Sequence, residues 1–278
     1  MLFRSWTNSY TITTVNSSTN PLLLVGNGGY IIDNAVAKTS VTLKKNPKYN
    51  SGPALQGDID TVVFKFIGDG TAAAQALANG ELDVYAGQAT ADGVAKLKAI
   101  KGVNVVGKEE VAYEHWDLHY DTVPGEDPYT GLFSVKDGAK SLALRRAFLL
   151  GIPRGEIMDK LIAPINGVTK PIQSTWLAPG SAAYDKLVAS NGSSYFSQGT
   201  QEERNKRALG LVQKYYPDVL KNPLKVNVLV PGNNPRRAAE FALAKANLAK
   251  IGFDLVGDRK STRLNSSHVS ESRMPSSA

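Results

Sequence analysis

The chain has 278 residues, no cysteine and a net charge of +7, with 42% hydrophobic and 21% charged residues. This composition is typical of a globular protein, and no apolar run approaches the ~18 residues of a membrane-spanning helix. The absence of cysteine excludes disulfides, thiolate metal sites and cysteine nucleophiles. The basic residues form scattered doublets without interleaved aromatic residues, which indicates solvated helix faces and no nucleic-acid partner.

The first half of the chain is predicted to contain mainly strands. Its predicted elements are, in chain order, two strands within 29–55, a strand at 61–67, a helix within 68–80, a strand at 81–87, a helix at 89–100 and a strand at 103–121. In the strand at 61–67, Val62, Phe64 and Phe66 share one face at a period of two residues. Gly80 is the predicted stop of the first helix, since glycine tolerates the left-handed backbone found after helix ends.

The second half of the chain is predicted to alternate helices and strands. Its predicted helices lie at 141–152, 153–165, 181–190, 200–216 and 234–252, and its predicted strands at 224–232 and 253–258. The last helix carries Phe241, Ala244, Leu248 and Ile251 on one apolar stripe. The alternation of strand, helix and strand predicts an α/β fold with parallel pairing in this half.

The segment Gly68–Ala73 matches G-x-G-x-x-A between a predicted strand and a predicted helix. This is the sequence context of a dinucleotide-binding loop, so an NAD-binding oxidoreductase is one hypothesis. The alternative is a simple turn in which Asp69 or Thr71 caps the helix. Asp69 would place a carboxylate beside the phosphates, which favours the capped turn.

A second candidate site lies at His115, Asp117 and His119, which share one face of the predicted strand at 103–121. Two imidazoles and a carboxylate can bind zinc or iron, so a metal-dependent hydrolase is a further hypothesis. The alternative is a strand whose polar face lines a cleft or solvent. Nearby carboxylates are predicted to lie on the surface, because nothing in the sequence brings any two of them together; they are Glu81, Asp83, Glu109, Glu110 and Glu114.

Residues 258–278 have no apolar period of their own. Their sequence resembles the translation of a common sequencing-library adaptor in both of its constant parts. We therefore predict that 258–278 is a disordered, adaptor-derived artefact and exclude it from the functional interpretation. The remaining chain is then expected to be a fragment.

Several short motifs recur together in one known family. They are Gly29-Tyr30, Val41 to Leu43, Asn46 to Tyr49, Ile59-Asp60, Ala76-Leu77, Gly80 to Asp83, Leu144 to Phe148, and Ile152 to Ile157. Together they resemble the family 5 extracellular solute-binding proteins, which are the peptide- and nickel-binding components of ABC importers. Gly29 departs from the family pattern, which has a proline before the tyrosine.

This resemblance implies part of a two-lobed, periplasmic-binding-protein-like fold of type II, in the peptide-binding class. Residues 1–124 would form part of the first lobe with a hinge strand, and residues 125–257 part of the second. The implied function is the capture of a peptide or similar small solute between the lobes and its delivery to a membrane permease. The resemblance implies no enzyme activity, cofactor or metal. It also implies a full-length monomer outside the cytoplasm, periplasmic or a cell-surface lipoprotein, whose signal segment would precede Met1.

The resemblance also places the solute site on two segments. The stretch after Gly80 to Asp83 would enter the cleft, and the predicted strand at 103–121 would cross between the lobes. The aromatic rings would flank apolar side chains of the solute, and Asp117 would meet an ammonium group. The implied solute-contacting residues are Tyr85, Gly87, Gln88, Tyr113, His115, Trp116 and Asp117.

Overall fold

The protein is described here from a computed structural model. The structure describes residues 27–53, 57–107, 114–122, 128–177, 179–230 and 234–258. Of residue 258 it describes the backbone without the side chain. The chain divides into two compact units, unit 1 (Met1–Tyr85) and unit 2 (Ala86–Ala278). The predicted lobe boundary near residue 124 is a different boundary, and the assignment of 1–124 and 125–257 to two lobes stays a prediction. The predicted artefact lies outside the described residues from 259 onward.

The described strands and helices follow the predicted order closely. The strands are β1 (Tyr30–Val36), β2 (Ser40–Lys45), β3 (Thr61–Lys65), β4 (Leu224–Leu229) and β5 (Phe253–Asp258). The α-helices are α1 (Gly70–Ala78), α2 (Ala91–Lys98), α3 (Gly138–Gly151), α4 (Arg154–Ile157), α5 (Ala163–Asn166), α6 (Tyr184–Ser190), α7 (Ser194–Ser197), α8 (Gln201–Gln213) and α9 (Pro235–Ala249). A 3₁₀ turn precedes α3 at Val135–Asp137, and a π-helical turn joins α4 to α5 at Met158–Ile162.

Unit 1 contains an antiparallel sheet in the order β1-β2-β3. The β1–β2 turn places Lys38 in the left-handed region at φ 61°, and the amide of Thr39 donates to the carbonyl of Val36 at 3.0 Å. The register shifts between Ile32 and Asn34, so one extra residue of β1 bulges out of the ladder. The two predicted strands within 29–55 are therefore confirmed as a hairpin.

The turn from β3 into α1 is a capped helix start. Asp69 is the N-cap residue, and its Oδ1 accepts a hydrogen bond from the amide of Ala72 at 2.8 Å. This bond satisfies one of the free amides that every helix exposes at its first turn. Gly80 follows the helix at φ 74°, which confirms the predicted stop. Among the described residues β3 pairs only with β2, in antiparallel fashion, so no parallel strand–helix–strand unit of a dinucleotide site is present there.

Unit 2 is built around helix α3, which packs against α8 and α9. Leu144, Ala147 and Phe148 of α3 are completely buried, as the apolar predicted helix at 141–152 requires. The ring of Phe148 makes edge-on contacts with Phe133 at 5.3 Å and with Phe253 at 5.6 Å between centroids. These aromatic pairs form the centre of the core.

Strands β4 and β5 pair in parallel, and α9 connects them. Asn234 caps α9 by accepting a hydrogen bond from the amide of Arg237 at 3.0 Å, and Pro235 occupies its first turn. Ala244, Leu248 and Ile251 are buried on the predicted apolar stripe, and Phe241 is half-buried. Both the helix and the parallel pairing predicted for this half are confirmed.

Two predicted strands are not present as strands. Residues 81–87 form no ladder, and neither do the described parts of 103–121, which are 103–107 and 114–121. A strand needs a neighbouring chain to receive its backbone hydrogen bonds, and no described strand lies beside either segment. Residues 114–122 are called the crossing segment below. Burial alternates over five of its residues, since Trp116 and Leu118 pack against the core while His115, Asp117 and His119 are exposed, but the predicted pairing is absent among the described residues.

Candidate functional site

The residues predicted to contact solute fall in different parts of the chain. Tyr85 is half-buried in unit 1, where its hydroxyl lies close to Gly70. Tyr113 lies outside the described residues. The others belong to unit 2; they are Gly87, Gln88, His115, Trp116 and Asp117. Nothing in the structure tests whether any of them touches a solute, so their roles stay predictions.

Trp116 and Asp117 line a concavity on unit 2. The indole of Trp116 packs against the ring of Phe148, with 6.3 Å between centroids, so the core fixes its position. The concavity has a volume of about 500 Å³. Its other lining residues are Leu118, Tyr120, Val135, Leu142, Arg145, Arg146, Leu149 and Phe196. Most of this lining is apolar or aromatic, which is typical of small-molecule sites.

Charged groups of both signs accompany the apolar lining of the concavity. Arg145 is held in place because its Nη1 donates to the carbonyl of Phe133 at 2.6 Å and to Ser141 Oγ at 3.1 Å. The guanidinium of Arg146 lies 5.9 Å from the ring centre of Tyr195 and is otherwise exposed. With the carboxylate of Asp117, the lining offers apolar contact, cationic groups and one anionic group.

The three residues of the hypothetical metal site do not converge. His115 Nε2 lies 3.1 Å from Asp117 Oδ2, which confirms that these two share one side of the segment. The ring of His119 instead stacks on Tyr129, with 4.2 Å between centroids. Among the described residues, no group of three or more histidines or carboxylates is placed to hold a metal ion. The described residues therefore provide no set of metal ligands for a metal-dependent hydrolase.

Gln88 contacts the first turn of α9. In one orientation of its amide, the oxygen accepts hydrogen bonds from Arg236 Nη2 at 2.6 Å and Nη1 at 2.7 Å. In the opposite orientation, the amide oxygen accepts one hydrogen bond from Asn234 Nδ2 at 3.0 Å, but the amide NH₂ then faces the guanidinium. Two charge-assisted hydrogen bonds outweigh one neutral bond, so the oxygen faces Arg236. Arg236 Nη1 also donates to the carbonyl of Ala89 at 3.3 Å.

The same arginine joins an ionic cluster that the sequence does not reveal. Glu114 Oε1 lies 2.8 Å from Arg236 Nη2 and 3.2 Å from Arg237 Nε. Arg236 Nε also faces Glu240 Oε1 at 3.5 Å. Glu114 is exposed as predicted, but the two arginines that hold its carboxylate were not predicted. No local signal could have found the cluster, because Glu114 and Arg237 are 123 positions apart.

The carboxyl groups of Glu114 and Glu240 both face the guanidinium of Arg236, so the titration of each affects the other. Burial alone would raise the pKa of Glu114, but the hydrogen bonds from Glu240, Arg236 and Arg237 lower it to about 2. Burial raises the pKa of Glu240 to about 8, and the hydrogen bond and negative charge of Glu114 add to this effect. At neutral pH the proton is therefore on Glu240.

The family model described as "Bacterial extracellular solute-binding proteins, family 5 Middle" matches residues 6–263. The chain belongs to this family. The match confirms the resemblance that the short motifs carry, and it extends into the first residues of the predicted adaptor-derived segment. Family 5 proteins are solute-binding components of ABC importers. No curated protein matches the chain significantly.

Solved structures with the same fold include several solute-binding proteins. The Helicobacter pylori periplasmic binding protein DppA, in complex with peptide STSA, has a TM-score of 0.56 at 20% identity, covering 85% of this chain and 39% of that chain. Haemophilus influenzae OppA, in complex with the peptide RPPGFSPFR, has a TM-score of 0.51 at 20% identity, covering 90% and 44%. The A. tumefaciens protein AgaA, in complex with agropinic acid, has a TM-score of 0.53 at 20% identity, covering 88% and 43%.

These likenesses show the fold and leave the solute open. The chain spans less than half the length of each of the three solved proteins. Their bound molecules also differ, from peptides to agropinic acid, so the shared fold does not select one solute. Among the described helices, none is long and apolar enough to cross a membrane.

Proposed function

We propose that this chain belongs to the solute-binding component of an ABC importer that captures peptides or similar small solutes outside the cytoplasm. The observation that carries the proposal is the family match over residues 6–263. The protein would close two lobes on its solute, deliver it to a membrane permease and act as a monomer without catalysing a reaction. Closure of this kind occurs when the solute makes contacts that exist only in the closed state.

The chemistry of the concavity supports a peptide as the solute. Trp116 supplies a rigid aromatic wall, and Asp117 and Arg146 supply charges that suit the ammonium and carboxylate groups of a peptide. Tyr85, Gly87, Gln88, Tyr113 and His115 remain proposed contacts. Two of the similar structures contain bound peptides, which agrees with this solute class.

The proposal is tested by adding a mixture of short peptides to protein expressed from the complete reading frame of its gene. Native mass spectrometry reads the masses of bound peptides, and titration gives their Kd. We expect Trp116→Ala to weaken binding by about tenfold or more, because it removes a buried aromatic contact worth about 1.4 kcal/mol or more. Trp176→Ala is the matched control, since Trp176 is 89% exposed and lies outside the concavity.

Asp117→Asn tests the contact with the ammonium group. This variant should weaken the binding of peptides with a free N-terminus more than the binding of the same peptides with an acetylated N-terminus, because acetylation removes the positive charge. Equal losses for both forms would contradict the role of Asp117. Binding of non-peptide solutes alone would overturn the peptide proposal, and a protein that retains no solute of either kind would overturn the proposed function.

A further inference from the structure

Arg236 connects three parts of unit 2 that are distant in sequence. It lies in the first turn of α9, and its guanidinium reaches Gln88 and Ala89 on one side and Glu114 on the other. Its side chain is only 15% exposed, and those of Glu114 and Glu240 are 28% and 10% exposed. Charge-assisted hydrogen bonds in so protected a place are stronger than ion pairs on an open surface.

The partners of Arg236 differ in how firmly the rest of the fold holds them. Glu114 is two residues from Trp116, which the aromatic core fixes through Phe148. Residues 86–90 have no such anchor before Thr90, whose hydroxyl caps α2. Gly87 and Gln88 are exposed, and the described hydrogen bonds of the Gln88 side chain go to Arg236. The contact with Arg236 therefore limits the positions that Gln88 can take.

We propose that Arg236 is a positioning residue for Gln88, holding the segment Ala86–Thr90 at a fixed place relative to Glu114 and the crossing segment. The claim that this placement serves a solute site rests on the proposed function, because Gln88, Trp116 and Asp117 are proposed solute contacts. The placement itself depends only on the contacts described above. A guanidinium suits this role, since its planar fork donates to Gln88 and Glu114 at once and keeps its charge at all relevant pH values.

The two carboxyl groups give the arrangement a pH dependence. Glu240 Oε1 lies 3.5 Å from Arg236 Nε, and among the described residues the charges of Glu114, Arg236 and Arg237 act on the pKa of Glu240. While Glu240 is protonated, it is neutral, and Glu114 is the one carboxylate charge beside the two arginines. Ionisation of Glu240 adds a second carboxylate charge that repels Glu114 and competes with it for Arg236. The hold of Arg236 on the two segments should therefore weaken as the pH rises through about 8.

The experiment measures the motion of each segment with a spin label. The chain contains no cysteine, so Gly87→Cys and Asp117→Cys each give a single labelling site. The electron paramagnetic resonance line shape then reports how fast each label moves. In Arg236→Met we expect the label at residue 87 to move several-fold faster, and the label at residue 117 to change little because Trp116 remains packed.

Three further variants separate positioning from general stability. Lys250→Met removes a cation at the other end of the same helix and should leave both labels unchanged. Arg236→Lys keeps the positive charge but cannot donate to Gln88 and Glu114 as a fork, so it should also release the label at residue 87. Glu240→Gln keeps a neutral group beside Glu114. It should therefore abolish the faster motion that the parent protein shows above about pH 8.

The outcomes decide the proposal directly. It is overturned if the label at residue 87 stays equally immobile in Arg236→Met and Arg236→Lys, or if both labels become mobile together. If Arg236→Met loses its helical circular dichroism, Arg236→Lys decides by the same criteria. In the binding assay, Arg236→Met should raise the Kd for peptides about tenfold and Lys250→Met should not. If the parent protein binds no peptide, the proposed function fails, while the label measurements still decide the role of Arg236.

Discussion

Phe64, on the sheet of unit 1, remains exposed, whereas Phe148, at the centre of unit 2, is completely enclosed. Phe64 of β3 is 54% exposed, and Phe148 of α3 is 1% exposed. Among the described residues of unit 1, only Ala73 and Ala76 are buried. In both units the apolar residues recur at the period of their strand or helix. This period shows which face of an element is apolar. Whether that face becomes buried depends on what packs against it, and on β3 Val62 is half-buried while Phe64 stays exposed.

The largest expected effect comes from truncating the two phenylalanines in turn. Phe148→Ala should lower the free energy of unfolding by about 3–5 kcal/mol, because it leaves a cavity among Phe133, Phe253 and Trp116. Phe64→Ala should change it by much less, about 0.5 kcal/mol, since Phe64 is 54% exposed. Urea unfolding followed by circular dichroism measures both. Equal losses would show that the sheet of unit 1 is covered as fully as the core of unit 2.

A smaller loss is expected from a polar group inside unit 2. Asn247 is buried, and its Nδ2 donates to the carbonyl of Gly151 at 2.7 Å and to Asn205 Oδ1 at 2.9 Å. Asn247→Ala should cost about 1–3 kcal/mol, because it leaves a buried carbonyl without its donor. Asn227→Ala, on an exposed position of β4, is the control and should change stability by about 0.5 kcal/mol or less. A similar loss in both variants would contradict the special role of the buried amide.

The pH dependence of stability should also belong to unit 2. The folded pKa of Glu240 is raised from 4.5 to about 8, so its stabilising contribution is complete below about pH 4.5 and is lost as the pH rises through about 8. The folded pKa of Glu114 is lowered from 4.5 to about 2, so its contribution is lost as the pH falls through about 2. Urea unfolding of the parent protein and of Glu240→Gln at about pH 5 and about pH 9 tests the loss of stability at alkaline pH.

In this measurement the parent protein should lose stability between the two pH values, and Glu240→Gln should lose less. A parallel decline in both proteins would assign the alkaline loss to another group. Stability that rises toward alkaline pH in the parent protein would contradict the raised pKa of Glu240.

The smallest effects are expected at two helix starts, one in each unit. Thr200 and Glu203 form a reciprocal capping box at α8, while Asp69 caps α1 alone. Thr200→Ala and Asp69→Ala should each cost about 1 kcal/mol by releasing one amide of the first turn. Hydrogen exchange followed by mass spectrometry should show faster exchange at α8 in the first variant and at α1 in the second. Exchange that increases in both units after either change would indicate that the units unfold together.

Local features of the fold could be predicted because their causes lie within a few residues. The stripe of α9 follows from residue spacing, and the start and stop of α1 follow from Asp69 and Gly80. The crossing segment was predicted as part of a strand at 103–121, and burial alternates in it from His115 to His119. Its pairing could not be predicted, since a strand depends on a neighbour that the local sequence does not specify.

The candidate site was predictable only in part, for the same reason. The family resemblance placed Gln88, Trp116 and Asp117 at the solute site by position alone, and the structure gives Trp116 and Asp117 a common concavity. No sequence feature marked Arg236 or Glu240 as special, because a basic doublet and a glutamate are common on helices. Their importance arises from proximity to Glu114, which follows from the packing of α9 and not from any motif.

The enclosure of Phe148 also has a consequence for the order in which the protein is made. Helix α3 leaves the ribosome roughly 100 residues before β5. At a synthesis rate of ~5–20 residues per second, the apolar face of α3 is therefore exposed for on the order of 10 s before β5 can pack against it. During that interval the newly made α3 exposes Leu144 and Phe148, which are completely enclosed in the finished fold. Chaperones that recognise short apolar stretches should therefore bind nascent chains that end before residue 250 more strongly than longer ones.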